Sequence, residues 1–483
     1  MLGQTPLSSN ERGALLGEGR TPPKALHKDD TKWLLYLTAF VGVLFVTLAA
    51  ARTSNELGAS QQESFKAASG NLTSNSSDIG LSSLDVHPSD LNASELTKLL
   101  FYGLHTIADQ NAILFGHQYS NVFGQHFNRA LEWSDKEALP GVYSKSDVAN
   151  ATGGDYPVVF GYNLQDIIDG KNITDYVRWA VEQGAMITYY WQAHNPINDG
   201  ESHDCSTNGS SGNVVETILE KGEAYETFIG WLDQIADFFL KFSIDGKTIP
   251  IIFRPYHECT ADWYWWGTSC IEDHDYIDLW LLTQDYIVNT RGVHSVLWEY
   301  APSKPADDYA LAFEDRYPGD DRVDIVGFDR YSAPNNYADD LKRDCKVVTA
   351  FASERGKIAA LSETGITTGI NKITEEFSDH YNFFTDDLLF PIMEACPTLT
   401  YVLTFSNFNS GKYWVPLPGQ PTYPGFYSFY ESSQTFFLGD TRWRKLEYVT
   451  QATERMNEKN MSNSSMKDLP IAQKKPKGVT EKA

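Results

Sequence analysis

Short apolar runs alternate with amphipathic stretches along residues 93–455, and this alternation is the main structural signal in the chain. Eight runs have the length and residue types of buried strands: Ala112–Phe115, Pro157–Tyr162, Ala185–Trp191, Ile249–Arg254, Ser295–Tyr300, Val323–Phe328, Lys357–Ser362 and Leu399–Phe405. Between them, Glu223–Phe242 repeats apolar residues at three- and four-residue steps, and Tyr276–Thr290 does so more loosely. Near-continuous apolar strands separated by helix-sized segments predict an α/β fold, a parallel (β/α)8 TIM barrel.

Several of these runs end in residues typical of an active face: His117, Trp191, Gln192, Arg254, Trp298, Asp329, Arg330, Tyr331 and Glu363. Catalytic residues of such barrels lie at the C-terminal ends of the strands. We therefore expect these side chains to line one end of the barrel.

The stretch from Thr248 to Gly267, TIPIIFRPYHECTADWYWWG, is richest in candidate chemistry. Its apolar run opens into a loop that carries Arg254, His257 and Glu258, followed by Trp263, Trp265 and Trp266. Unpaired buried charge is costly, so this combination favours a cleft that stacks sugar rings on indoles and uses a carboxyl group. A salt-bridged loop over a tryptophan-rich core is the alternative.

Glu258 follows the fourth predicted strand and Glu363 ends the seventh, so a closed barrel brings both to one cleft. Glycoside hydrolysis needs such a pair: one carboxyl protonates the leaving oxygen, and the other attacks the anomeric carbon or activates water. Nearby indoles favour a protonated Glu258. We expect Arg254 and Tyr331 to hold Glu363 ionised.

The N-terminal region predicts a membrane anchor. We expect residues 1–32 to be a disordered cytoplasmic tail, and the uncharged run 33–51 is long enough to cross a bilayer. The sequence further predicts a flexible glycosylated stalk over residues 52–92, the catalytic domain over 93–455 and a disordered tail over 456–483. We expect a single-pass type II protein whose catalytic domain is lumenal or extracellular, in the Golgi or at the cell surface; a cleaved signal peptide and secretion are the alternative.

Eight sequons agree with that orientation: Asn71, Asn75, Asn92, Asn150, Asn172, Asn208, Asn460 and Asn463.

The net charge and the cysteine pattern argue against some classes of partner and cofactor. A formal net charge of −25 argues against nucleic acid as a partner, and the high aromatic content fits a neutral polysaccharide. His203 and Cys205 have no spaced partner pair, and His257–Glu258 lacks the second histidine of a zinc-protease helix, so we expect no metal and no cofactor. Among the five cysteines, Cys259 and Cys270 are the disulfide to test first, because it would brace the loop of Glu258.

The segment RPYHECTADWYWWG resembles the acid/base signature of glycoside hydrolase family 26, best known for endo-β-1,4-mannanases. Further blocks are similar in the same order: LFGHQ, GDYPVVFGYNL, ITYYWQAHNP, VLWEYAP, VGFDRY, LSETG and YWVPLPGQP. The resemblance implies a (β/α)8 retaining hydrolase with Glu258 as acid/base and Glu363 as nucleophile. It also implies that His257 and Tyr331 contact sugar or nucleophile, and that Trp263 stacks on a sugar.

The predicted substrate-binding residues are Arg254, His257, Trp263, Trp266, Tyr331, Trp191, Gln192, Asn195, His117 and Phe405. Three positions depart from the family pattern: Gln192 where a histidine is usual, Phe405–Ser406–Asn407 where Trp-Arg-Asn is usual, and Tyr119 at a position often acidic. We expect a retaining endo-β-glycanase acting on β-1,4-mannan. Alternatives are a β-1,3-xylanase, a mixed-linkage β-glucanase, a transglycosylase or a carbohydrate-binding barrel without turnover. A glycosyltransferase would need a nucleotide-sugar motif, and no DxD-like motif stands in a convincing context.

Overall fold

Eight parallel strands close into a barrel in the computed structural model, which describes residues 86–128, 142–198, 200–209, 211–244, 246–305 and 312–453. They are β1 (Ile113–Gln118), β2 (Val159–Asn163), β3 (Met186–Trp191), β4 (Ile251–Pro255), β5 (Val296–Tyr300), β6 (Ile325–Ser332), β7 (Ile358–Ile366) and β8 (Tyr401–Thr404). Each strand pairs with the next, and β8 pairs with β1. All eight predicted strands are present, so the predicted barrel is confirmed.

Helices follow the strands, as a parallel sheet requires. They are α1 (Glu95–Ala108), α2 (Asp147–Thr152), α3 (Gln165–Ile168), α4 (Thr174–Glu182), α5 (Val214–Leu219), α6 (Tyr225–Lys241), α7 (Asp273–Asp285), α8 (Pro334–Glu354), α9 (Phe390–Ala395), α10 (Tyr423–Glu431) and α11 (Thr441–Arg444). π-Helical turns lie at Tyr286–Thr290 and Phe384–Leu389, and 3-10 turns at Ile370–Lys372 and Glu375–His380.

Both predicted helices form, with shifted ends. The first corresponds to α6. The second starts earlier than predicted, at Asp273, because Glu272 and Asp275 make a reciprocal capping box there.

Strands β6 and β7 extend further towards the active end than the apolar runs predict. Their last residues are polar, yet the register pairs Asp329 with Glu363 and Tyr331 with Gly365. The apolar pattern marks only the part of each strand in the barrel core, so polar residues that remain in the ladder escape it.

The opposite end of the barrel is sealed by the segment that precedes α1. Ser89 donates its backbone N–H and its hydroxyl to Asp324, which lies just before β6, and Asp90 pairs with His294 over 2.7 Å. Residues 86–92 therefore pack on the barrel, whereas the sequence assigned them to the stalk. A two-residue strand, Thr435–Phe436, adds to β1 at the same end.

The predicted tails, the rest of the stalk and the apolar run 33–51 lie outside the described residues. Within the ranges that the structure describes, no helix is long and apolar enough to cross a membrane.

Candidate active site

The carboxylate of Glu363, near the end of β7, is held by two side chains from other strands. The Arg254 guanidinium donates to Oε1, and the Tyr331 hydroxyl donates to Oε2 over 3.1 Å. Arg254 also donates to both oxygens of Asp329, at 2.9 and 3.1 Å. Arg254, Asp329 and Glu363 are buried, and burial raises the pKa of Asp329 well above its usual value although the Arg254 cation opposes the rise. The expected contacts of Arg254 and Tyr331 with Glu363 are present.

Strand register explains why these groups meet. Asp329 and Glu363 are paired across β6 and β7 immediately after an irregularity in the ladder at Phe328. Gly327 lies two residues before Asp329 on β6, where the packing leaves no room for a side chain. A Cβ there would lie 2.5 Å from Glu299 Oε1. The floor beneath Glu363 is thus too tight for any side chain at residue 327.

Glu258 lies in the loop after β4 and is partly exposed. Its Oε2 accepts a 2.8 Å hydrogen bond from the indole N–H of Trp263, which is half-buried. Burial raises the pKa of Glu258 to about 7; the charge of Glu363 adds to the rise, and the Trp263 bond opposes it. A carboxyl group with such a pKa can donate a proton near neutral pH.

The backbone at Glu258 has a φ of 56°, in the left-handed region that non-glycine residues rarely adopt. Two hydrogen bonds to the end of β5 hold it there, from Glu258 N to Ala301 O (2.8 Å) and from Thr260 N to Pro302 O (3.0 Å). A strained residue at a strand end is typical of a functional position.

His257 is buried beside Glu258, and its ring contacts Tyr190 of β3 at a centroid distance of 5.4 Å. Its Nε2 lies 3.3 Å from the Tyr264 hydroxyl. Burial lowers the pKa of His257 well below its usual value, and the Arg254 charge adds to this effect. His257 is therefore a neutral imidazole that orders the cleft wall.

Trp266 is fully buried, with its N–H bonded to His257 O at 2.8 Å. Its ring stacks on Tyr264 at 4.4 Å. The Trp266 ring has no exposed surface, and its stacking on a sugar stays a prediction. Trp263, three residues earlier, is the indole of this loop that keeps exposed surface.

Of the residues at the end of β3 that were predicted to bind substrate, some are also buried. Trp191 is fully buried and donates to Gln165 Oε1 over 3.0 Å. Asn195 is also buried and shapes its loop by donating to the backbone oxygens of Asp204 (2.7 Å) and Ser206 (2.9 Å). Both side chains hold the loop after β3 in place, and their contact with substrate stays a prediction. Gln192 remains partly exposed.

On the β1 and β8 side, His117 is fully buried, and burial lowers its pKa to about 3. Its side chain has no exposed surface, and its contact with substrate stays a prediction. Phe405 is half-buried, with its ring 6.4 Å from that of Tyr331 and 5.7 Å from that of Phe408. Phe408 stacks on Phe123 at 6.1 Å. We call Phe123, Phe405 and Phe408 the aromatic wall.

Sequence reasoning missed two residues that organise the site, Glu299 and Arg316, and gave a third, Asp329, no specific role. Asp329 was noted only as a strand-end residue. Glu299 is buried below the cleft, where it accepts from the hydroxyls of Ser362 and Tyr401. Arg316 is buried, and the loop carbonyl groups that it binds belong to residues 45 to 57 positions earlier in the chain. A glutamate inside the apolar run VLWEY was the one available signal for Glu299; nothing in the sequence near Arg316 indicates its contacts.

The predicted Cys259–Cys270 disulfide is wrong. Cys270 is bonded to Cys205, 65 residues earlier, Cys345 is bonded to Cys396, and Cys259 is a buried free thiol. Sequence proximity favoured Cys259, whereas the fold places the loop after β3 against the loop after β4.

Comparison with known proteins agrees with this geometry. The model for glycosyl hydrolase family 26 matches residues 89–387. A mannan endo-1,4-β-mannosidase from Bifidobacterium adolescentis is 30% identical over 395 residues, covering 76% of this chain but 36% of that protein. One from Bacillus subtilis is 24% identical over 359 residues, covering 69% of this chain and 91% of that protein.

Solved structures with the same fold include a GH26 β-mannanase from Bacteroides ovatus. It has a TM-score of 0.63 and 30% identity, and the match covers 73% of this chain and 98% of that one. A modular endo-β-1,4-mannanase from Cellulomonas fimi has a TM-score of 0.63 and 26% identity, with 73% and 78% covered.

Proposed function

The chain belongs to glycosyl hydrolase family 26, and we propose that it is a retaining endo-β-1,4-mannanase with Glu258 as the acid/base and Glu363 as the nucleophile. The proposal rests on the different surroundings of these two carboxyl groups. Glu363 contacts the Arg254 cation and the Tyr331 hydroxyl. Glu258 has a pKa raised to about 7 by burial and by the charge of Glu363. Glu363 is oriented by two donors for attack, and Glu258 can donate a proton near neutral pH.

The reaction then proceeds in two balanced steps. Glu363 attacks the anomeric carbon while Glu258 gives its proton to the leaving glycosidic oxygen, which produces a glycosyl ester and a carboxylate at Glu258. That carboxylate takes a proton from water, the water oxygen attacks the anomeric carbon, and Glu363 leaves as a carboxylate. Transfer to a sugar hydroxyl in place of water uses the same groups.

Asp329 has a specific task in this cycle. When Glu363 is esterified it loses its charge, and Arg254 would then be a buried cation without a partner. The contact of the Arg254 Nη1 with both oxygens of Asp329 keeps the guanidinium hydrogen-bonded throughout, which avoids leaving a buried polar group without a partner.

Mannan is the proposed substrate because the aligned relatives are named mannan endo-1,4-β-mannosidases and the acid/base loop matches the family signature. Substrate contact is assigned to Trp263, Gln192, Tyr331 and Phe405, which keep exposed surface around the two carboxyl groups.

Reducing-sugar release from β-1,4-mannan, β-1,3-xylan and mixed-linkage β-glucan tests the proposal. We expect the wild-type protein to cleave mannan best. Glu258→Gln should reduce kcat by roughly 10²–10⁴-fold, and Glu363→Gln by at least as much, because it removes the nucleophile. Preferential cleavage of another glycan would change the substrate. Binding without cleavage by the wild type would identify a carbohydrate-binding barrel, and full activity of both variants would refute the mechanism.

We also propose that the domain is lumenal or extracellular, behind the anchor at residues 33–51. All four sequon asparagines in the described ranges, Asn92, Asn150, Asn172 and Asn208, are exposed. Two disulfides join parts of the same domain, as expected in an oxidising compartment. A mass decrease on treatment with an N-glycosidase, together with protease resistance in sealed microsomes, is the expected result; an unglycosylated, protease-sensitive chain would contradict it.

A further inference from the structure

Two loops face each other beside the carboxyl pair. The acid/base loop, residues 256–272, carries Glu258 and Trp263 between β4 and α7. The β3 loop, residues 192–198 and 200–209, follows β3 and lies against it. The Cys205–Cys270 disulfide joins them, with 5.8 Å between the Cα atoms.

The β3 loop has an internal framework that fixes Cys205. Asn195 donates to the backbone oxygens of the residues on either side of Cys205, Asp204 and Ser206. Asn198 donates to the side chains of the same two residues, at 2.8 and 2.7 Å. Cys205 is therefore presented by a preorganised turn rather than by a loose loop.

The contacts between the loops surround the disulfide. Trp265 donates its backbone N–H to Ser202 O (2.9 Å) and its indole N–H to Ala193 O (3.0 Å). The His203 ring packs on Tyr264 at 4.9 Å. Tyr264 in turn contacts His257, the residue before the acid/base.

The acid/base loop transmits this restraint along its own backbone. Ala261 N donates to Glu258 O (3.0 Å), Thr268 N to Ala261 O (2.8 Å), and Cys270 N to Gly267 O (3.1 Å). These bonds connect Glu258 to the bonded cysteine through a short series of turns.

From this juxtaposition we infer that the Cys205–Cys270 disulfide is a positioning element for catalysis, which clamps the β3 loop onto the acid/base loop and fixes Glu258 in its partly buried place. The inference rests on the proposed acid/base role of Glu258. Opening the clamp lets water reach the carboxyl group and displaces it from the leaving oxygen.

The two disulfides differ in exposure, which supplies a control within the chain. Cys205 is exposed and Cys270 partly so, whereas Cys345 and Cys396, which join α8 to the end of α9, are buried. A mild thiol reductant should therefore open the clamp first, and mass spectrometry after alkylation identifies which pair has opened.

The test compares the full chain carrying Cys205→Ser with Cys270→Ser against the full chain carrying Cys345→Ser with Cys396→Ser. Opening the clamp should lower kcat on mannan by roughly tenfold to a hundredfold. It should also move the alkaline limb of kcat/KM to lower pH, because burial is the main cause of the raised pKa of Glu258. The control pair should lower the unfolding temperature without moving the limb. Reoxidation of reduced wild type should restore both kcat and the limb.

Hydrogen exchange of residues 258–270 gives a readout that does not depend on the substrate. Opening the clamp should speed exchange at the Ala261, Trp265 and Thr268 amides relative to the amides of β1. If exchange rises but the wild type cleaves no glycan, the proposed function fails while the clamp stands. The inference would be overturned by an active clamp variant whose alkaline limb of kcat/KM stays at the wild-type pH. Unchanged hydrogen exchange at the loop amides would overturn it as well.

Discussion

The bond from Trp263 to Glu258 joins a sugar-stacking candidate to the acid/base, so this indole influences both binding and proton transfer. Its N–H lies 2.8 Å from Oε2 and stabilises the carboxylate form. Burial and the charge of Glu363 act in the opposite direction and prevail, since the pKa of Glu258 is raised to about 7. The residue that we propose to stack on the sugar also limits how far the pKa of Glu258 rises.

Trp263→Phe separates these roles, because the ring stays apolar while the N–H is lost. Loss of a bond to the charged form raises the pKa of Glu258. We expect the alkaline limb of kcat/KM to move to higher pH by about half a unit. The measurement is kcat/KM on mannan from pH 4 to 9. Trp443→Phe is the control, because its lost N–H bond is to Gly184 O, at the opposite end of the barrel. A limb that moves to lower pH would show that the indole acts mainly by excluding water.

The aromatic wall is the second residue-scale feature, and it extends the cleft beyond Tyr331 towards β8 and β1. Glu258 must reach the leaving oxygen, so the leaving part of the glycan lies on the side of the acid/base loop. We therefore expect the wall to contact the part of the glycan that becomes esterified to Glu363. Its partly exposed rings suit contact with sugars.

Phe408→Ala tests that assignment. Stacking on an aromatic ring contributes about 0.5–1.5 kcal/mol beyond burial, so kcat/KM on long mannan should fall about 2- to 12-fold. Turnover of the shortest cleaved oligosaccharide should change less, and product sizing should show a shifted cleavage position. Tyr427→Ala, which removes an exposed aromatic side chain of α10, is the matched control. Equal losses for short and long substrates would place Phe408 outside the binding path.

At the scale of elements, the acid/base loop depends on a residue distant in sequence. Arg316 is buried and donates to the backbone oxygens of Cys259 (3.0 Å), Trp266 (2.9 Å) and Ile271 (2.8 Å). Its Nε also pairs with Asp273, at the start of α7, over 2.9 Å. One guanidinium group thus donates hydrogen bonds to three carbonyl groups that lie outside the helices and strands.

Arg316→Met keeps much of the side-chain volume and removes every one of these donors. Breaking a buried charged network costs about 3–5 kcal/mol, and we expect the free energy of unfolding to fall by that amount, with a larger relative loss of kcat than of substrate binding. Urea unfolding and steady-state kinetics measure the two effects. Arg322→Met is the control, since its contact with Asp285 lies at the surface and should contribute less than about 1 kcal/mol. Similar losses in both variants would contradict a special role for Arg316.

The same loop has a tryptophan arrangement and a disulfide pairing that the sequence did not predict. Both Trp263 and Trp266 lie in an irregular segment, where no 2.0 or 3.6 period assigns a face, so nothing local distinguishes the cleft residue from the buried one. The pairing of Cys270 with Cys205 depends on how two loops from different strands meet. Such contacts are set by tertiary packing, which a local pattern does not encode.

At the scale of the whole molecule, the barrel itself was predictable because buried parallel strands are apolar on both faces and their runs stand out between helices. The positions of Glu258 and Glu363 follow from that topology, since parallel strands place all their C-terminal ends together. The seal at the other end was not predictable. Ser89 lies in a polar segment that resembles a linker, and its partner Asp324 is 235 residues away.

That seal gives the barrel a pH-dependent component of stability. Asp324 is buried and accepts bonds from Ser89 N (2.5 Å), Ser89 Oγ (3.0 Å) and Trp298 N (2.7 Å). Burial raises its pKa to about 6, above the ordinary value of about 3.9. The folded protein therefore binds this proton more tightly than the unfolded chain does. The resulting stabilisation is complete below about pH 4 and is lost as the pH rises to about 6.

Asp324→Asn removes the titration and, because an amide nitrogen must face one of the three donors, leaves a buried polar clash. We expect the variant to be less stable at pH 4, since one unmade buried hydrogen bond costs about 1–3 kcal/mol. The difference from wild type should shrink by about 2–3 kcal/mol between pH 4 and pH 7, because only the wild type loses the proton-linked term. Urea unfolding of both proteins at pH 4, 5, 6 and 7 measures this. A difference that stays constant, or grows with pH, would mean that Asp324 is ionised throughout and that its three donors outweigh its burial.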